Sequence, residues 1–303
     1  MFRNINNFVL AVLAAVTLST SAIASESINV IWAFNPGSNQ ATTLRIMIDK
    51  LNKVQDKYSF TFVHKPGAGG AVAAKAVTAD PQHSIVGMSS SFQIGPLFKN
   101  NDTTHKLSDF TPVWVQGTGA PLVLVSKNFK TIDTLLSKDR ITMGVSGVGS
   151  ISHLLAAQIQ SIHPNATIVN FKDMIAASTS AAGGNVDVAI TYFVDSEGLR
   201  KDKLNLLGYT GSKQLVAGIS TLASKMPDTV SLTANYSIYA AKTMPVAKLQ
   251  EIHDLIAKVN NEKEIQDAYA RDLLTVKSLS LEDSSKWYAS EVALWDKFVS
   301  KIK

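Results

Sequence analysis

Apolar runs alternate with helix-spaced apolar stripes along most of this chain, and turns rich in Gly, Pro and Ser separate them. Residues 28–34 (INVIWAF) are rich in strand formers, and Asn35-Pro36-Gly37 ends them as a turn. Leu44, Met47, Ile48 and Leu51 follow at helical spacing. Residues 60–63 predict a second strand, the turn over 65–70 ends it, and an Ala-rich helix is expected over 71–79. A third strand is expected over 84–88. This β-α-β-α-β order predicts a parallel sheet with helices on its faces, hence an α/β fold.

A second unit repeats the pattern. Strands are expected over 122–125, 141–145, 167–169, 187–192 and 204–209, with helices over 131–136 and 152–161. Near Thr233 the pattern changes: residues 237–241 read as a strand, and only helices are expected after it. Val246, Leu249, Ile252, Leu255, Ile256 and Val259 form one apolar stripe. Tyr288, Val292, Trp295, Val299 and Ile302 form another, with Ser280 and Asp283 marking a helix start ahead of it. Both stripes read as core-facing.

Two of the turns carry candidate chemistry. The loop Phe34-Asn35-Pro36-Gly37-Ser38-Asn39, continued by Gln40, and the loop Ser146-Gly147-Val148-Gly149-Ser150 each join a strand to a helix. Such a junction gathers free backbone N–H groups, hydroxyls and the positive end of a helix dipole, which together suit an anion. The hydroxyls of Ser146 and Ser150 with two or three N–H donors can satisfy both oxygens of a carboxylate. Asn35, Ser38, Asn39 and Gln40 supply neutral donors and acceptors from the first loop. Ser89, Ser90 and Ser91 end the third strand on the same side. Tyr192, Phe193 and Asp195 follow a strand of the second unit, Tyr192 or Phe193 shaping the far end of a pocket and Asp195 able to meet an ammonium. In open α/β sheets ligands sit at the carboxyl ends of strands, where these residues fall.

Other chemistries fit less well. Position 152 is Ser where a dinucleotide fingerprint needs a third Gly, and Val148 stands where a nucleophile elbow needs Gly. The six His show no metal-ligand spacing, so no metal, cofactor or catalytic residue is expected. The chain has no Cys, which excludes disulfides, thiolate ligands and lipid attachment at an N-terminal Cys. The net charge of 29 − 24 = +5 comes from scattered Lys and Arg without a basic block, so no nucleic-acid partner is expected.

The chain opens with Arg3, a short apolar run over 8–16 and Ala22-Ile23-Ala24. That is the form of a secretory signal peptide over 1–24, cleaved after Ala24, which places the mature chain free in a periplasm. About 280 residues then remain, enough for two domains.

These motifs, in this order, resemble the solute receptors of tripartite tricarboxylate transporters, the Bug family of periplasmic binding proteins. Pro36 to Arg45 looks like the family's first loop, and His64 to Gly70, with Gly67 and Ala68, like its Asn-x-Pro-Gly-Ala-Gly-Gly segment. Asp109-Phe110-Thr111-Pro112-Val113 matches its Asp-Phe-x-Pro-Val element, and Val145 to His153 its second Gly/Ser loop. Residues 169–172 and 184–187 fall where the family has Tyr-Lys-Gly and Gly-x-Val-Asp. The chain departs from the pattern at Ser38 and Ala41, where the family has Gly and Asp, at Asp173, where it has Gly, and over 80–84.

The resemblance implies a two-lobed periplasmic binding protein fold, type II-like, each lobe a mainly parallel sheet flanked by helices, joined by two crossing strands near 120–126 and 232–241. Lobe 1 would comprise 25–121 plus 238–303, and lobe 2 residues 122–237. It implies a monomeric receptor that holds a small carboxylate between the lobes and delivers it to a tripartite tricarboxylate-type permease. A secreted hydrolase or transferase, and a ligand-sensing partner of a signalling receptor, remain the alternatives.

Overall fold

A computed structural model describes residues 25–98 and 105–302; the expected signal peptide lies outside the described residues. The first half opens with β1 (Glu26–Trp32), α1 (Asn39–Val54), β2 (Tyr58–His64), α2 (Ala71–Ala79), β3 (Ser84–Ser89) and the short α3 (Ser91–Ile94). The long strand β4 (Phe110–Ser126) leads to α4 (Ile132–Leu136), β5 (Thr142–Val145), α5 (Ile151–Ile162), β6 (Thr167–Asn170), α6 (Met174–Gly183), β7 (Val188–Tyr192), α7 (Glu197–Asp202) and β8 (Asn205–Tyr209). The chain returns through β9 (Thr233–Ala241) to α8 (Val246–Asn260), α9 (Lys263–Arg271), β10 (Thr275–Val276) and α10 (Leu281–Val299).

β1 lies parallel between β2 and β3, and β5 lies parallel between β6 and β7, as the alternating pattern requires. β4 and β9 join the two halves. The first part of β4 pairs antiparallel with β9, from Phe110 opposite Ala241 to Pro121 opposite Thr233. Its last part pairs antiparallel with β7 and β8. The result is a two-lobed α/β fold whose strands are parallel on the outer sides and antiparallel where the crossing strands enter.

β4 can serve both lobes because it is irregular. Its register against β9 shifts three times between Pro112 and Ala120. Such bulges bend a strand and increase its twist. Gly119 adopts φ +96°, and a Cβ on Gly117 would stand 2.9 Å from the Leu274 side chain and 3.0 Å from the Thr275 carbonyl. β10 approaches there, pairing Thr275 and Val276 with Thr118 and Gly117. This short strand corrects the expectation of helices only after residue 241.

The α8 stripe is core-facing as expected: Leu249, Ile252, Ile256 and Val259 are buried with Ile28, Leu44, Met47 and Leu51, whereas Val246 at its start is 74% exposed. α10 reaches two cores. Tyr288 packs against the cluster around Phe92 and Tyr239, while Trp295 and Phe298 lie among Leu122, Met143 and Leu155. Among the described residues no helix is long and apolar enough to cross a membrane.

Candidate ligand-binding site

The two Gly/Ser loops face one cleft. Phe34, Asn35, Ser38 and Gln40 from the first loop, Ser89 at the end of β3 and Ser91 after it, Ser146 from the second loop, and Tyr192 at the end of β7 and Asp195 after it line its inner part. Trp32, Asp173, Met174, Ile175 and Tyr236 complete the lining. Gly67, Gly147 and Lys172 lie at a wider mouth beside Asn35 and Ser146, and Val148, Gly149 and Ser150 line a side cavity with Phe34, Ser91 and His105.

Local bonds fix the first loop. Asn35 Oδ1 accepts the Gly37 N–H at 2.8 Å, forming an Asx turn. The Trp32 indole N–H donates to the Asn35 carbonyl at 3.1 Å, and Arg45, stacked on Phe62, donates to the Pro36 carbonyl at 2.7 Å. Ser38 is the N-cap of α1 and accepts the Ala41 N–H. Ala41, where the resemblance expects Asp, is fully buried among Leu44, Trp32 and their neighbours. Backbone and indole contacts therefore hold this loop without a carboxylate at position 41.

The second loop turns through Gly147 (φ +96°) and Gly149 (φ +78°), both in the left-handed region that favours Gly. Its organiser is Ser152, which is fully buried. The Ser152 hydroxyl oxygen accepts the Ser146 N–H at 3.0 Å and lies 3.0 Å and 2.9 Å from the Ser146 and Ser150 hydroxyls. Ser150 caps α5 by accepting the His153 N–H at 3.0 Å. The His153 ring receives the Gly149 N–H and packs near Phe98, so these hydroxyls meet one another and not an imidazole. Burial lowers the pKa of His153, and pushes that of His105 down to about 4.

Among the described residues, hydrogen bonds cross the cleft at three places. Asn35 Nδ2 donates to Asp173 Oδ2 at 3.4 Å, Asn39 Nδ2 donates to Asp195 Oδ1 at 3.4 Å, and the Ile151 N–H donates to Ser91 Oγ at 3.4 Å. Asp173 also caps α6 through the Ala176 N–H at 2.7 Å. Burial raises the Asp195 pKa to about 6; Asp272 and Asp173 push it the same way, and bonds from Asn39 oppose them. Burial likewise raises Asp272 to about 6, against the pull of Arg271. One side-chain atom of the cleft lining, Gln40 Nε2, is buried without a hydrogen-bond partner among the described residues, while the buried Tyr236 hydroxyl meets that of Tyr192. A buried donor without a partner is costly, and marks a place where a ligand acceptor fits.

Some expected residues lie elsewhere. Ser90 is fully buried and turned to β9, accepting the Asn235 N–H at 2.8 Å. Phe193 packs under the Arg200 guanidinium, 4.0 Å from the ring centre. Gly37 stands in the Asx turn, Asn39 reaches the cleft through Asp195, and Ala68 lies in the short helical turn ahead of α2. Of the residues not singled out from sequence, Trp32 is the last residue of β1, and Asp173 caps a helix whose Ala- and Ser-rich run shows no apolar stripe. Tyr236 sits opposite Ser89 in the β3–β9 pairing, a neighbour that only the register reveals.

No protein-family model and no curated protein matches the sequence. Solved structures match in shape. Rpa4515 of R. palustris with adipate is similar at TM-score 0.80 and 19% identity, over 90% of this chain and 96% of that one. The periplasmic binding protein BugD is similar at TM-score 0.79 and 16% identity, over 91% and 97%. MatC of Rhodopseudomonas palustris with bound malate is similar at TM-score 0.79 and 16% identity, over 90% and 98%. The chain has the fold of the Bug and TctC periplasmic solute-binding proteins.

Proposed function

We propose that the protein is a periplasmic receptor that takes a small carboxylate between lobes 25–121 with 238–303 and 122–237, and hands it to a tripartite tricarboxylate-type permease as a monomer. The observation that carries this reading is the unpartnered buried Gln40 Nε2, which lines the same cavity as Ser146, the residue that opens the loop ahead of α5. Neutral donors and a helix N-terminus suit a carboxylate without a buried countercharge. Two proteins of the same shape carry adipate and malate in their structures, which supports an acid as cargo. Residues 1–24 act as the export signal in this reading, so protein recovered from a periplasm should have the mass of residues 25–303.

Binding would work by linkage. The open form exposes both loops, the ligand bridges them, and closure is the state a permease reads. Ser146→Ala tests the site without touching a cap, since Ser150 and not Ser146 caps α5. Loss of one hydrogen bond to a charged group predicts roughly tenfold weaker carboxylate binding by calorimetry. Unchanged affinity would remove the second loop from the site.

A further inference from the structure

We infer that the ligand of this cleft carries a cationic nitrogen beside its carboxylate, a zwitterion of the amino-acid type whose ammonium lies against Asp195 and Asp173. The inference rests on the carboxylate reading above and narrows it.

The charge pattern of the cleft is lopsided. Its inner lining holds two carboxylates, Asp173 and Asp195, and no Lys or Arg among the described residues. The nearby Arg271 is engaged by Asp272 and Thr43, and Lys172 stands outside, at the mouth. His105, in the side cavity, is held neutral by burial. A ligand bearing only carboxylates would thus enter beside two carboxylates with no buried cation to meet it. That is unfavourable for like charges in a partly desolvated site.

A second observation points to a ligand at the same place. Gln40 Nε2 is unpartnered, and its residue is only 7% exposed. This amide donor suits a ligand carboxylate, and the two aspartates supply acceptors for a ligand cation. Both aspartates already accept from amide nitrogens, Asn35 and Asn39, so their oxygens are aimed at N–H donors. The raised pKa of Asp195 agrees: burial and then the neighbouring Asp272 and Asp173 disfavour its charged form, and a ligand ammonium would favour it.

The test is calorimetry on protein produced as the full chain, then unfolded and refolded to strip carried-over solutes. Amino acids are compared with acids that lack only the ammonium: phenylalanine with 3-phenylpropionate, aspartate with succinate, 2-aminoadipate with adipate. At pH 7 at least one amino acid should bind ten or more times tighter than its deaminated partner. Asp195→Asn, which can keep the contact with Asn39, should bring that pair within threefold. The unmodified protein gives the same answer through pH: with Asp195 at about 6, the preference should fall about tenfold between pH 7 and pH 5. Asp272 and Asp173 face Asp195 as like charges, while Asn39 bonds to Asp195 and Arg271 to Asp272. A deaminated acid that binds as tightly, or a preference unchanged in Asp195→Asn and across pH, overturns the inference and leaves the carboxylate reading standing. Silence from both series, with protein shown to be folded, overturns both.

Discussion

Single side chains decide the chemistry of the cleft, and Asp195 is the most informative. Its folded pKa of about 6, and that of Asp272, lie above the ordinary carboxylate value. The neutral form is therefore favoured by folding. That stabilising contribution is complete below about pH 4 and is lost as pH rises through about 6. Asp195→Asn should thus raise stability at pH 7.5 by about 1–3 kcal/mol and change little at pH 4. Thermal unfolding at the two pH values checks this, and a variant less stable at pH 7.5 would contradict it. Ser152 works differently, since it does not itself line the cleft yet organises the loop that does. Ser152→Ala leaves the Ser146 N–H and two hydroxyls without their shared partner, at a cost of about 1–3 kcal/mol and with weaker ligand binding. Unchanged denaturant midpoint and ligand affinity would remove it from that role. Ser146, Ser150 and the first loop are legible from sequence because Gly and Ser punctuate strand ends. Ser152, Tyr236 and Trp32 are not, because their neighbours are set by long-range pairing.

Elements followed the sequence where their pattern was periodic. The Ala-rich helix over 71–79 is found at Ala71–Ala79, and the strand read at 60–63 lies within Tyr58–His64. β4 escaped in part: only residues 122–125 read as strand, because Pro112, Gly117, Gly119 and Pro121 mask a bulged strand of 17 residues. α6 escaped because Ala, Ser and Thr leave no apolar contrast, and β10 because two residues carry no pattern. α10 shows how an element gains weight from packing. The Trp295 indole is fully buried and its N–H donates to Gln93 Oε1 at 3.1 Å. Trp295→Ala should destabilise by about 3–5 kcal/mol in chemical denaturation, from lost packing and a cavity. A loss under about 1 kcal/mol would show that α10 is not part of the core.

At the scale of the whole molecule, the crossing strands β4 and β9 bring the two Gly/Ser loops to one cleft, and amide–carboxylate pairs span it. Asn35 with Asp173 and Asn39 with Asp195 are partly exposed pairs, each worth little alone. The lobes should therefore part without large cost, with ligand contacts supplying most of the closing free energy. Small-angle scattering should show a smaller radius of gyration on adding a bound acid; an unchanged radius would argue against closure. The central claim, that this cleft captures a small carboxylate, is tested most directly by a thermal-shift screen. Refolded protein would be scanned with mono-, di- and tricarboxylates, amino acids and aromatic acids, and hits titrated by calorimetry. A ligand at 100 times its dissociation constant adds about 2.7 kcal/mol of stability. The account predicts such a shift for a selective subset bearing a carboxylate, weakened in Ser146→Ala. Folded protein that shifts with none of them, or equally with all, would contradict it.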